Sequence, residues 1–271
     1  MRKKSIRVSS ILLLVFTFPA VGWVASKKSN LNFSNKTYKT KENPADKNTS
    51  NTELFEQHIH SVYAQANLAK AGLDQSVFKK ALIGYYNIKK TQLLSAQKSV
   101  LTIIDFSKKS SEKRLWIIDL ESSKLLFNTL VAHGRGSGMD LATSFSNQPN
   151  SHQSSLGFYV TSNTYIGKHG LSMRLDGLDK GFNTNAKERA VVVHGADYVS
   201  QSFVNQTGRL GRSHGCPALP VELTKTIINV IKGQTALFIN GPSDQYRSVF
   251  LDQDKAVANF ISSGNPVQAS I

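Results

Sequence analysis

Apolar and polar positions divide this chain into stretches of different texture. After a polar stretch over 26–52, rich in Lys, Asn, Ser and Thr and read as a flexible linker, the pattern turns helical. Leu54, Phe55, Ile59, Val62 and Tyr63 recur at three- and four-residue spacing, with an Ala-rich continuation to Ala71, and Gly72 is expected to end that helix. Asp74 is placed to cap a second helix carrying Val77, Phe78, Leu82 and Tyr85. Near Val100 the texture changes to short β-rich runs: Val100–Phe106, Arg114–Leu120, Lys124–Ala132, Leu156–Thr161, Ala190–His194 and Thr235–Ile239. One helix interrupts them, from Pro220 to Lys232, with Glu222 in its first turn, an apolar face of Leu223, Ile227, Ile228 and Ile231, and Gly233 past its end. The pattern predicts a mainly β fold, a closed or sandwich-like domain over 99–243 with one packed helix, preceded by a small helical segment over 53–98. Residues 244–271 read as a tail, with a short helix over Val249–Ser262.

The N-terminus changes the compartment. Arg2, Lys3, Lys4 and Arg7 precede an apolar run from Ile11 to Val24, interrupted by Pro19, and no acid occurs before Glu42. This reads as a secretory signal peptide over 1–25, since the run falls short of the roughly 20 apolar residues that span a bilayer. Membrane contact is then transient, through that segment, and the location is the periplasm or cell envelope. With 33 Lys+Arg against 18 Asp+Glu the chain is strongly basic, which favours polyanionic partners. Export argues for an acidic envelope polymer and against nucleic acid. A purely solubilising role for the lysines is the alternative, and no pattern speaks to oligomeric state.

One cysteine, Cys216, is present. In an oxidising compartment an unpaired thiol is unusual, and catalysis and inert burial are its two readings. It lies in Arg209-Leu-Gly-Arg-Ser-His-Gly-Cys-Pro-Ala-Leu219, between a glycine-bearing loop and the helix expected from Pro220. Gly215 permits a tight turn whose successive N–H groups converge, as an oxyanion hole requires. The helix N-terminus and Arg212 are expected to favour thiolate. Seven histidines compete as base. His194 ends a run of valines, and His214 lies two residues from the thiol. His58 and His60 sit on the first helix, His133 in a glycine-rich loop without the Lys-Ser/Thr of a phosphate cradle, and His152 and His169 in polar turns.

His194, followed by Ser213-His214-Gly215-Cys216, resembles the signature of L,D-transpeptidases of the YkuD-like fold. The resemblance runs from Leu101 to Asn240 and is strongest to the murein L,D-transpeptidase catalytic domain branch. It rests on Ile104-Asp-Phe-Ser107, Ala132-His-Gly-Arg135, Ser155-Leu-Gly-Phe-Tyr159, Gly167-Lys-His-Gly170, Val193-His-Gly-Ala-Asp-Tyr198 and Gly211-Arg-Ser213. It implies a β-sandwich-like catalytic domain with Cys216 as nucleophile and His194 as general base, oriented by the carbonyl of Gly195. The N–H groups of Gly215, Cys216 and His214 would hold the oxyanion. His214, Arg212, Ser213, His133, His169 and Tyr198 would line the substrate cleft, and no cofactor or metal is implied. Better-studied members carry an Arg two residues after the Cys; here that position is Ala218, so Arg212, Arg209, Arg174 or Lys168 must supply the charge that meets a donor carboxylate.

The implied chemistry is acyl transfer from a peptidoglycan stem peptide through a thioester to an amine. The alternatives are hydrolysis of the same thioester, as an L,D-carboxypeptidase, and a wall-binding module with an inert thiol. A zinc enzyme built on His133, His194, His214 and Cys216 lacks the close ligand spacing such sites use.

Overall fold

The computed structural model describes residues 44–264, so the expected signal peptide and most of the expected linker lie outside the described residues. Helix α1 (Pro44–Gln65) starts ahead of the expected Glu53 and stops short of Gly72. Asn67 adopts φ +52°, and Leu68 N–H bonds back to Tyr63 O, which ends the helix in a chain of turns up to Gly72. Helix α2 (Gln75–Lys90) begins as the sequence indicates, with Asp74 accepting from Ser76 N at 2.7 Å.

Eight strands follow: β1 (Val100–Asp105), β2 (Leu115–Asp119), β3 (Lys124–Thr129), β4 (Gly157–Gly167), β5 (Gly170–Gly177), β6 (Val192–Gly195), β7 (Ala218–Leu219) and β8 (Ala236–Asn240). Their order in the sheet is β3-β2-β1-β8-β4-β5-β6-β7. The mainly β fold expected from the sequence is one sheet that curls on itself, and Ala132, just past β3, bridges Ala218 of β7. Helix α3 (Gln201–Thr207) lies between β6 and β7, α4 (Val221–Ile231) between β7 and β8, and α5 (Gln253–Ser262) follows a 3-10 turn.

Alternation along the central strands builds two cores. Leu101 and Ile103 of β1, Phe158 and Val160 of β4, and Ala236 and Phe238 of β8 face Phe55, Phe78, Leu82, Tyr86 and Phe260 of α1, α2 and α5. Ile104, Tyr159, Leu237 and Ile239 point the other way, onto Ile227, Ile228 and Ile231 of α4. The helical segment and the tail are therefore parts of one body. Trp116 Nε1 donates to Ala71 O at 2.9 Å, and α5 buries Ala256, Val257 and Phe260.

Strands β5 and β7 and helix α3 go beyond the sequence reading. Past Thr161, β4 loses its pairing with β8 and continues through exposed Asn163 to Ile166 as a hairpin with β5. That polar run carries no core signal. Among the described residues no helix is long and apolar enough to cross a membrane.

Gly84 lets α2 approach β4: a Cβ there would stand 2.0 Å from the Phe158 ring, which stacks on Phe238 at 4.4 Å. Helix propensity alone favours alanine by up to about 1 kcal/mol. Gly84→Ala is nevertheless expected to destabilise the fold by about 1–3 kcal/mol through overpacking, read as a lowered urea midpoint.

Candidate active site

The β6–β7 ladder sets the site, pairing His194 with Ala218 and Gly195 with Leu219 in parallel register. Cys216 therefore enters the rim of the sheet beside β6. His194 is buried, and its Nδ1 lies 2.9 Å from Gly195 O. A carbonyl only accepts, so Nδ1 carries the proton and Nε2 keeps its lone pair, the tautomer a general base needs. A side chain at Gly195 would meet Thr224 Oγ1 at 2.8 Å, so α4 locks this corner. Burial lowers the His194 pKa; the bond to Gly195 opposes that, while the neighbouring His169 and Lys168 add to it. The His169 ring, from the tip of the β4–β5 hairpin, lies tilted against His194 with centroids 4.6 Å apart.

The turn that carries Cys216 is held from within. Ser213 Oγ donates to Cys216 O at 2.6 Å and accepts from Gly215 N–H at 3.1 Å. Gly215 has φ +119°, and a Cβ there would be 2.8 Å from Gln153 O. Two expectations change in consequence. Ser213 is buried, and its hydroxyl is spent on the backbone of the turn. The Gly215 N–H is occupied, which leaves those of His214 and Cys216 without an acceptor among the described residues. These two are free to meet a bound acceptor, as an oxyanion hole requires.

The thiol of Cys216 receives Val192 N–H at 3.4 Å and points to Ala190 O at 3.7 Å, so its partners here are backbone groups and not an imidazole. Ala190, at φ +52°, turns its carbonyl toward the sulfur and delays the start of β6 to Val192. Burial pushes the thiol pKa up, opposed by the Val192 N–H and by Arg189. This reverses the expectation of a depressed thiol. Strand β7 separates Cys216 from the start of α4, and Arg212 points away, donating to Gly138 O at 3.0 Å and lying 3.1 Å from Met139 Sδ.

Other expected residues divide. His133 is fully buried and takes no part in the cleft. Its Nδ1 accepts from Arg114 at 2.7 Å, and burial, reinforced by that guanidinium, lowers its pKa to about 4. Only its backbone serves the site, accepting from Ser213 N at 2.9 Å. Tyr198 packs on Gly211 and lies close enough to Cys216 for the thiolate to add to the burial that raises its hydroxyl pKa to about 12. His214 is exposed, its ring 4.5 Å from that of His152. Arg209 bonds its neighbour's carbonyl, and Arg174 lies over the Tyr165 ring. Arg189, which the sequence reading passed over, reaches under the turn; as a charge beside Glu188 it carries no local signal. Among the described residues no group of three or more His, Cys, Asp or Glu is placed to share a metal ion.

The family model of the L,D-transpeptidase catalytic domain matches residues 69–240, well over half of the chain. The chain belongs to this family. Among solved structures, this L,D-transpeptidase family member is 13% identical to an L,D-transpeptidase from Mycobacterium smegmatis, over 53% of this chain and 59% of that one (TM-score 0.33). It is 17% identical to an L,D-transpeptidase from Stackebrandtia nassauensis over 55% and 59% (TM-score 0.32). It is 11% identical to the helical cell shape determining protein Pgp2 from Campylobacter jejuni over 66% and 63% (TM-score 0.36). The chain thus spans 59–63% of the length of these relatives. Overlap at these scores is partial, so membership rests on the family match. No curated protein matches the chain.

Ser213→Ala removes both side-chain bonds of the turn that carries Cys216. Misplacement of that size is expected to slow acylation of Cys216 by about 10²-fold, with only a small loss in melting temperature. Intact-mass time courses with a reactive acyl donor measure it.

Proposed function

We propose that the protein is an exported cysteine acyltransferase acting on peptidoglycan stem peptides, with Cys216 as nucleophile and His194 as general base. One observation carries the reading. Strand β6 carries an imidazole whose Nδ1 is engaged by Gly195, and the turn leading into its neighbour β7 carries a thiol and two N–H groups without an acceptor among the described residues.

The pKa directions favour a neutral thiol beside a neutral imidazole, so proton transfer accompanies attack. His194 Nε2 takes the Sγ proton as sulfur adds to the carbonyl carbon, and the N–H groups of His214 and Cys216 receive the oxyanion. Collapse breaks the peptide bond, and the imidazolium returns the proton to the departing amine of the terminal amino acid. The thioester then passes its acyl group to an acceptor amine, whose proton His194 removes. Water as acceptor gives the hydrolase, the second outcome of the same chemistry.

Ala218 supplies no cation for the donor carboxylate. Lys168 and Arg135 take that role. Both are exposed, and neither makes an ion pair among the described residues. Lys168 adjoins His169 on the hairpin over His194. Arg135 N–H donates to Ser213 O at 2.8 Å, on the other side of the turn.

Incubation of the mature protein with tetrapeptide muropeptides, followed by mass spectrometry, tests this. Crosslinked dimers are expected, and none with Cys216→Ala. Tripeptides alone select the hydrolase, and unchanged muropeptides refute both. Replacing Lys168 and Arg135 together by Ala is expected to raise KM about tenfold with little change in kcat, the pattern of lost uniform binding.

A further inference from the structure

Among the described residues no carboxylate balances the charge of Arg189. Its Nη1 donates to Ser146 O at 2.6 Å and to Ser155 Oγ, its Nη2 to Gln153 O at 2.6 Å and Ser151 Oγ at 3.3 Å. All four acceptors are neutral, and among the described residues Arg189 makes no ion pair. A half-buried cation surrounded only by dipoles is costly without an anion nearby. The guanidinium lies directly under the nucleophile turn. A Cβ on Gly215 would stand 3.2 Å from Nη2, and the carbonyl of the next residue, Ala190, faces Cys216 Sγ.

We propose that Arg189 is a positioning residue whose guanidinium is the countercharge of the Cys216 thiolate while its fork clamps the loop over 146–155 beneath the turn. The inference rests on Cys216 being the reactive group of the proposed function. The other groups around the thiol do not fill this role. Tyr198 becomes negative when it ionises, and His194 must stay neutral to act as base. Lys168 and His169 approach from the hairpin onto His194, and His214 faces His152. The direct influences on the thiol are burial, the Val192 N–H and Arg189, and burial opposes ionisation. As sulfur gives up its proton, Arg189 offers a fixed positive charge that needs no reorganisation. The same fork draws Gln153 O against Gly215, so charge and turn geometry are set by one side chain.

The test is the pH dependence of Cys216 alkylation by iodoacetamide, in which the thiolate displaces iodide and forms a C–S bond, followed by intact mass. Arg189→Gln, which can still donate to loop carbonyls, is expected to move the midpoint up by about one unit, leaving about tenfold less thiolate below it. Arg189→Lys keeps the charge and is expected within a few tenths of wild type. Ser155→Ala loosens the clamp while keeping the charge, so its melting temperature should fall with the midpoint unmoved. A folded Arg189→Gln protein with the wild-type midpoint overturns the proposal. So does an Arg189→Lys midpoint as high as that of the Gln variant. Should Arg189→Gln fail to fold, a raised midpoint in Ser155→Ala, where the charge is intact, has the same force. Alkylation needs no stem peptide. A protein that shows the Arg189 shift yet leaves muropeptides unchanged refutes the proposed function and spares this inference.

Discussion

Ala132 and Ala218 exchange two backbone hydrogen bonds, Ala132 N to Ala218 O at 2.9 Å and Ala218 N to Ala132 O at 3.3 Å. This contact closes the curl of the sheet, and the rest of the site is built outward from it. It brings the glycine loop after Ala132 onto the nucleophile turn, where Gly134 lies so close to Gly215 that a Cβ would stand 2.8 Å from the Gly215 Cα. Bonds from Ser213 N to His133 O and from Arg135 N to Ser213 O continue the seam. Buried Arg114 fixes the start of the loop through Val131 O and the His133 ring. The turn that carries Cys216 thus leans on strand ends far away in sequence, which is why residues around 105–140 matter to a thiol at 216.

The electrostatics follow from burial more than from nearby charge. Desolvation raises the thiol pKa and lowers that of His194, so both favour their neutral forms at rest. Arg212 and the helix N-terminus, expected to favour thiolate, are engaged elsewhere or set apart by β7. Positive charges lie near the site, with Arg189 beneath the turn and Arg135 and Lys168 close to His214.

Central strands were legible because both faces are buried and their apolar runs are continuous. The outer part of the β4–β5 hairpin was not, because Asn163 to Ile166 face solvent and carry no apolar run, while Met173 and Leu175 of β5 are buried only through pairing with β6. The helical segment and the tail looked separable, since nothing in their own periodicity says that Phe158 and Phe238 share a core with Phe260. Around the site, the strand end at His194 and the glycine turn before Cys216 were readable from neighbouring residues, because both are local features. The parts played by Ser213, His133 and Arg189 are set by contacts across the fold. A polar residue one turn from a nucleophile looks like a substrate contact until its hydrogen bonds are seen to close on the backbone.

The central claim is that His194, not His214, removes the thiol proton. Acylation of Cys216 by a β-lactam, whose strained ring presents an activated acyl carbon, can be followed by intact mass in His194→Ala and His214→Phe. The geometry predicts a fall of about 10²–10⁴ in rate for the first and a rate near wild type for the second. Near-normal acylation in His194→Ala with collapse in His214→Phe would contradict the account and make Cys216 and His214 the working pair.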